Sequence, residues 1–369
     1  MLWTIDPDGE AVKQTDVNSD KYHQYFKNTN LHDMGTSHYR TSATNIYRCK
    51  DGRYFHLHGS MNADPTIKSV GLPTEPSTQY ATPEESYQPF IEAVGKLNSD
   101  EMQHLATDVY KQAGTICWTP SEYQSSAHGQ ANAHINLFEI HRVQNHSQAP
   151  SWWPSTPQTS PQRPLAGLKV LDITRVIAAP AVTRGLAELG ASVMRITAPH
   201  ITDMSTLHCD MNWGKWNCHL DFRSAEDREK LRELVRDTDV VVQGYRPGVL
   251  DKYGLSPQEL FDLCKDRDRG LIVARENCYG WNGEWKDRTG WQQISDASSG
   301  VSMEFGRAMG LDEPVTPVFP NSDFCTGVCG VVGILNAVMK RGEEGGSYLV
   351  DVSPQSFISD FILFSAEHV

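Results

Sequence analysis

The chain has 369 residues, 39% hydrophobic and 21% charged, with a formal net charge of −13. That length suits roughly two domains of about 100–200 residues each and is ample for a core without disulfide or metal staples. The acidic balance argues against a protein that coats nucleic acid or anionic membrane. No apolar run reaches the roughly 20 residues of a bilayer span, and MLWTIDPDGEAVKQTD lacks the basic flank and apolar stretch of a secretory signal.

The first 35 or so residues are polar and irregular. Asn45–Arg48 and Tyr54–His58 alternate around Cys49–Arg53, which contains Asp51-Gly52, and predict a β-hairpin. Helical spacing follows over Pro83–Lys96, Asp100–Ala113 and Pro120–Ala127. Residues 1–147 therefore read as a small α+β domain. Gln148 to Pro164, QAPSWWPSTPQTSPQRP, carries five prolines and reads as an extended, solvated linker that Trp152 and Trp153 dock onto a neighbouring surface. From residue 165 to 369 strands alternate with helices. Lys169–Ile173 is a strand, Thr174–Ala179 a loop, Ala181–Leu189 a helix capped by Gly190, and Ser192–Ile196 the next strand. Further strands are expected at Val240–Gln243, Leu271–Ala274 and Tyr348–Val352. Helices are expected near Glu226–Arg236, from Ser256-Pro257, and over Phe324–Met339. The fold class is α/β: a Rossmann-like large domain with a parallel sheet, beside the smaller α+β domain.

Eight cysteines without C-x-x-C pairs fit a reduced, cytoplasmic protein better than a disulfide framework or zinc module, so no metal is expected. The first βα turn, D-I-T-R-V-I-A-A-P, lacks both G-x-G-x-x-G and the P-loop pattern. It places Arg175 beside a helix N-terminus, as an anion ligand or as the partner of a nearby carboxylate. Arg246, in Q-G-Y-R-P-G-V, follows the carboxyl end of a strand, where open α/β sheets place ligands; such an arginine, taken alone, is more often an ordinary turn residue than a phosphate ligand. Lys215 lies between Trp213 and Trp216, which suits a nucleotide phosphate with a nearby ring or a surface cation–π pair. Asp323 in N-S-D-F is most simply a helix N-cap. Cys278 has no evident activating base.

LAGLKVLDITRVIAAP, GKWNCHLDF, VVVQGYRPGVLDKYGLSP, NCYGWNGEW, PNSDFCTGVCGVVGIL and YLVDVS follow one another in an order that resembles the family III CoA-transferases. That is the CaiB/BaiF superfamily, which includes formyl-CoA transferase and α-methylacyl-CoA racemase. YRCKDGRYFHLH and the stretch from Trp118 to Val143 resemble the family's small domain, placed here before the large one. That order is similar to tandem fungal and bacterial members, and implies the end of one unit joined to the start of the next. The resemblance implies an interlocked homodimer acting on acyl-CoA and carboxylic acids. It also implies coenzyme A held by Arg175, Lys215 and Arg246, with Tyr279 and Gly280 lining the thioester pocket.

Family transferases attack the thioester with an aspartate in G-[YF]-D-x-x-x-Q-A-x-[ST]-G, a step for which an amide is a far poorer nucleophile. Here Gly290 to Gly300 reads G-W-Q-Q-I-S-D-A-S-S-G, so Gln292 stands at the aspartate position and Asp296 four residues later. On a helix the two share a face about one turn apart. Asp296 is then a displaced carboxylate or a structural one. Gln292 alternatively orients or polarises a carbonyl in a lyase, isomerase or cyclase, or the chain binds CoA without catalysis. No histidine lies between His219 and His368, so racemase-type proton transfer needs a base from elsewhere, with His56 and His58 the candidates.

Overall fold

The computed structural model describes residues 4–5, 12–13, 19–143, 147–356 and 358. His368 and most of the first 18 residues lie outside them. Twelve strands occur among the described residues. The short pair β1 (Thr4–Ile5) and β2 (Val12–Lys13) is antiparallel. β3 (Asn45–Arg48), β4 (Tyr54–Leu57) and β5 (Gly114–Ile116) form the antiparallel sheet of the small region. The expected hairpin is there, with Gly52 at φ +87° supplying the left-handed turn residue. Phe55, Leu57 and Tyr47 pack on Phe90 and Val94 of the helix Pro83–Val94. The helix expected over Asp100–Ala113 gives way after a π-helical turn, His104–Val109, because Gly114 must run close under the Phe55 ring to pair β5 with β4.

The remaining strands are β6 (Glu139–Val143), β7 (Lys169–Ile173), β8 (Ser192–Thr197), β9 (Lys215–His219), β10 (Val240–Gln243), β11 (Ile272–Glu276) and β12 (Ser347–Val352). They form one sheet in the order β6-β12-β11-β10-β7-β8-β9, parallel except for β6. From β9 to β12 this is the doubly wound order, and its switch point lies between β7 and β10. Strand alternation sorts the core onto two faces. Val170, Val193, Val240, Val242, Ile272 and Val350 meet the helices Ala178–Glu188 and Asn321–Glu344. Leu171, Ile173, Ile196, Val241 and Val273 meet Ala225–Arg236 and Pro257–Leu263.

The helix Asn321–Glu344 packs tightly on Ala178–Glu188: a Cβ on Gly327 would sit 2.6 Å from the Ala181 Cβ, and one on Gly330 2.5 Å from Val182. By length and hydropathy this helix could pass for a membrane span, although its uncharged stretch, Phe324–Met339, stays short of the roughly 20 residues of a bilayer crossing. Its inner face is nonetheless the sheet's cover, and buried Arg341 pairs with Asp239 at 3.0 Å beneath it.

One boundary drawn from sequence crosses a structural unit. β6 precedes the proline-rich segment yet completes the large sheet, Glu139 to Val143 pairing with Asp351 to Ser347. Nor is the segment free of the body. The Gln148 amide donates to the Cys264 carbonyl at 2.9 Å, and the Trp153 indole to Ala166 at 3.1 Å. Trp152 fills the space over Gly342. Tryptophan docking was expected; the depth to which Gln148 is buried was not.

Candidate active site

At the carboxyl ends of β7, β10 and β11 a cleft of about 350 Å³ opens at the switch point, walled on the other side by Ser60, Met61 and Lys111 of the small region. The turn after β7 brings in Arg175 and Val176. Arg175 donates to the Thr202 carbonyl at 2.8 Å and stacks over the Tyr245 ring. Val176 has φ +73°, a left-handed conformation that a β-branched side chain adopts only under strain of about 1–3 kcal/mol. The turn after β10 brings in Arg246, exposed, its guanidinium donating to Thr289 Oγ1 at 2.8 Å.

Two further cations line the cleft, Lys111 and Arg288. Neither lies in a motif, and isolated loop residues give no sequence signal. Among the described residues none of these four is paired with a carboxylate, whereas Arg184, Arg195 and Arg275 nearby each are. In a chain of net charge −13 this is a local basic rim.

Lys215 does not join it. Its side chain is 0% exposed, its ammonium donating to Asp172 Oδ2 at 2.8 Å, Thr183 Oγ1 at 2.7 Å and the Pro180 carbonyl at 2.9 Å. Strand alternation in β9 turns Lys215 inward and Trp216 outward; Trp213 and Trp216 are 64% and 67% exposed. Tyr279 and Gly280 also fall outside the cleft lining. Tyr279 is fully buried with Ala113, Tyr123, Trp285 and Ile294. Gly280, at φ +79°, turns the chain beside Asn132. Their neighbour Cys278 reaches the cleft instead, its thiol bonded to the Trp291 carbonyl and its pKa pushed well up by burial.

Gln292 opens the helix Gln292–Ser299 and borders the cleft. The one-turn spacing is realised: its amide donates to Asp296. Asp296 itself is 0% exposed, accepts from Ser322 Oγ at 2.6 Å, and has its pKa pushed up to about 7 by burial. It lines no part of the cleft, so as a displaced nucleophile it has no path to a ligand there. Two other carboxylates do face the cleft, Glu276 at the end of β11 and Asp323. Asp323 is not the N-cap that its turn suggested. The helix begins at Asn321, which puts Asp323 in its first turn with the carboxyl turned to the cleft. Burial first, then Glu276 and Asp296, push its pKa well up; Glu276 is pushed up to about 7 by burial.

A second cavity, about 400 Å³, adjoins the first and shares with it Ser60, Met61, Val176, Ile177, Trp291, Gln292 and Asp323. His58 lies on it. The Ser60 backbone N–H donates to His58 Nδ1 at 2.9 Å, which leaves Nε2 to donate to Gln293 Oε1 at 3.1 Å. Both ring nitrogens are occupied, and burial pulls the pKa down to about 4. His56 is buried as well, its pKa pulled down to about 3, and borders neither cavity. His58 thus has no free lone pair, and His56, whose Nδ1 is unpartnered, is walled off from both cavities, so neither is placed to deprotonate a substrate there. On β6 and β12, Glu139, His141 and Asp351 approach metal-binding spacing, but Arg275 already holds both Asp351 oxygens at 2.8 Å.

The profile of CoA-transferase family III matches residues 165–363. Acetyl-coenzyme A transferase nodX of Hypoxylon pulicicidum is 52% identical over 332 residues, 89% of this chain and 56% of that protein. An acyl-CoA transferase of Gibberella moniliformis is 32% identical over 83% of this chain and 54% of its own length. A CAIB/BAIF family protein of Brucella suis superposes with a TM-score of 0.48 at 27% identity, covering 56% of this chain and 57% of that one. The chain thus spans about half the length of the curated relatives it matches.

Proposed function

The chain belongs to CoA-transferase family III, and on that premise we propose that its cleft binds an acyl-CoA and passes the CoA to a second carboxylic acid. One observation carries the reading: a basic rim of Lys111, Arg175, Arg246 and Arg288, free of carboxylate partners among the described residues, at the switch point of a doubly wound sheet. The phosphates of CoA sit on that rim, and the thioester reaches Gln292. The names of the relatives, acetyl-CoA and acyl-CoA transferases, agree with such a substrate. The homodimer and cytoplasmic setting expected from the sequence belong to the same reading.

Gln292 cannot itself carry an exchangeable acyl group. The thioester carbon lies where the two cavities meet, and Asp323 is the carboxylate lining both among the described residues. Its oxygen attacks the thioester carbonyl and CoA thiolate leaves, giving an acyl-aspartyl anhydride. The thiolate then attacks the aspartyl carbonyl and expels the donor acid, leaving an aspartyl-CoA thioester. The acceptor carboxylate attacks that thioester, and the thiolate released takes the new acyl group, restoring Asp323. The Gln292 amide borders both cavities and can donate to the carbonyl oxygen as charge builds on it.

The test is direct. The protein is incubated with an acyl-CoA, quenched with borohydride or hydroxylamine, and mapped by peptide mass spectrometry. The expected adduct is on Asp323, and Arg246→Ala lowers CoA affinity by roughly tenfold or more. An adduct on Asp296, or the absence of any adduct with CoA bound, overturns the assignment of Asp323; the latter favours a non-covalent reaction in which Gln292 polarises a carbonyl. Failure to bind CoA overturns the reading as a whole.

A further inference from the structure

We infer that the second cavity is the subsite for an apolar acyl chain of up to about ten carbons, so that the preferred substrates are medium-chain or comparably bulky hydrophobic acids rather than short dicarboxylic acids. This rests on the acyl-CoA reading above and names its substrate class. Three features of the cavity carry it.

The first is continuity. The cavity meets the CoA cleft at Val176, Trp291, Gln292 and Asp323, where the thioester carbon is placed, so a chain leaving that carbon away from CoA enters it directly. The second is lining. Met34, Met61, Ile177, Met204, Pro317 and Val318 surround the space, flexible thioethers among stiff aliphatic groups. At roughly 30 Å³ for a water-sized group, 400 Å³ admits about a dozen such groups.

Charge is the third. The cations that touch the cavity are Arg40 and His58. Arg40 is spent on Asp64 at 2.8 Å and on the His32 carbonyl at 3.0 Å, and His58 is held neutral with both nitrogens bonded. No unpaired cation is left facing the cavity, so a distal carboxylate on the substrate would be desolvated there and find no counter-ion. A methyl-terminated chain meets neither problem.

Calorimetry with free CoA and with acetyl-, butanoyl-, hexanoyl-, octanoyl-, decanoyl- and succinyl-CoA tests this, with decanoate and succinate as free acids in parallel. The dissociation constant should fall by roughly fourfold per added methylene at full burial and level off near ten carbons. Succinyl-CoA should bind no more tightly than acetyl-CoA. Thr41→Trp, at an exposed position on the cavity wall, should flatten the chain-length series while leaving free CoA binding as it was. Succinyl-CoA binding as well as hexanoyl-CoA, or a flat series in the wild type with CoA bound, overturns the subsite. Decanoate binding that Thr41→Trp abolishes, with no CoA binding, upholds the cavity assignment and sinks the CoA reading. Loss of both sinks both.

Discussion

Replacing Lys215 with methionine should destabilise the fold and leave CoA binding intact. The ammonium and the Asp172 carboxylate are both wholly enclosed, 2.8 Å apart, between β7, β9 and the start of the helix Ala178–Glu188. Removing one member of such a pair leaves an uncompensated buried charge, which costs about 3–5 kcal/mol. Asp172 keeps two hydroxyl donors, Thr174 and Thr183 at 2.8 Å, which places the loss towards the lower end, about 3 kcal/mol. Against a total stability of about 5–15 kcal/mol that is a large shift in a urea unfolding midpoint, at unchanged slope. Adding Asp172→Asn removes the stranded charge but keeps an oxygen for the threonines, so the double variant should regain at least half of the loss. The dissociation constant for CoA, measured on folded protein, should move less than twofold. A midpoint that stays put while CoA affinity falls tenfold would falsify this assignment and return Lys215 to the phosphates.

Glu276→Gln removes a like charge that raises the pKa of Asp323. The alkaline rise of the transferase pH–rate profile should therefore move to lower pH, by roughly half to one unit, and an unmoved or upward-shifted profile contradicts the pairing. His56 is buried neutral with its pKa pulled down to about 3, so below about pH 6.5 the unfolded chain takes up a proton that the folded one refuses. Stability is lost from this residue as pH falls through that window, at about 1.4 kcal/mol per unit, while Asp296, raised to about 7, slopes the opposite way between about pH 4 and 7. Relative to wild type, His56→Phe should gain about 1.4 kcal/mol per unit as pH falls from 6 to 4.5; parallel stability curves would refute it.

What could be read from the chain followed from how strongly each segment is constrained by its own pattern. KVLDI, VVVQ and LIVA are short apolar runs that only a sheet covered on both faces can bury, so their order and the ligand end of the sheet were legible, and with them Arg175 and Arg246. EIHRV is half exposed on an edge and pairs only with β12, so it carries no apolar run that would mark it as a strand of that sheet. Lys215 was misread because neighbours in sequence, two tryptophans, were weighed without strand alternation. A usable signal existed: Asp172 sits inside a buried apolar strand, and a charge there requires a partner. N-S-D-F has the pattern of a turn with Asp323 as its cap, yet the helix already begins at Asn321, directly after Pro320, which puts the carboxyl in the first turn.

The Gln292–Asp296 pair is the place where spacing and chemistry had to be separated. Spacing placed the two on one face, correctly, and left Asp296 open as either a displaced nucleophile or a support. Its two oxygens decide between them. One accepts from Ser322 in the first turn of the helix Asn321–Glu344, the other from Gln292 at the start of its own helix. Asp296 thereby ties together the two helix starts that deliver Gln292 and Asp323 to the junction of the cavities. To attack a thioester it would have to release both and cross the Gln292 side chain. A carboxylate that fixes the geometry of a site by accepting on both oxygens does so by not reacting. In the proposed reaction Asp296 is thus the brace and Asp323, one residue beyond the serine it holds, the carboxylate in reach of the cleft.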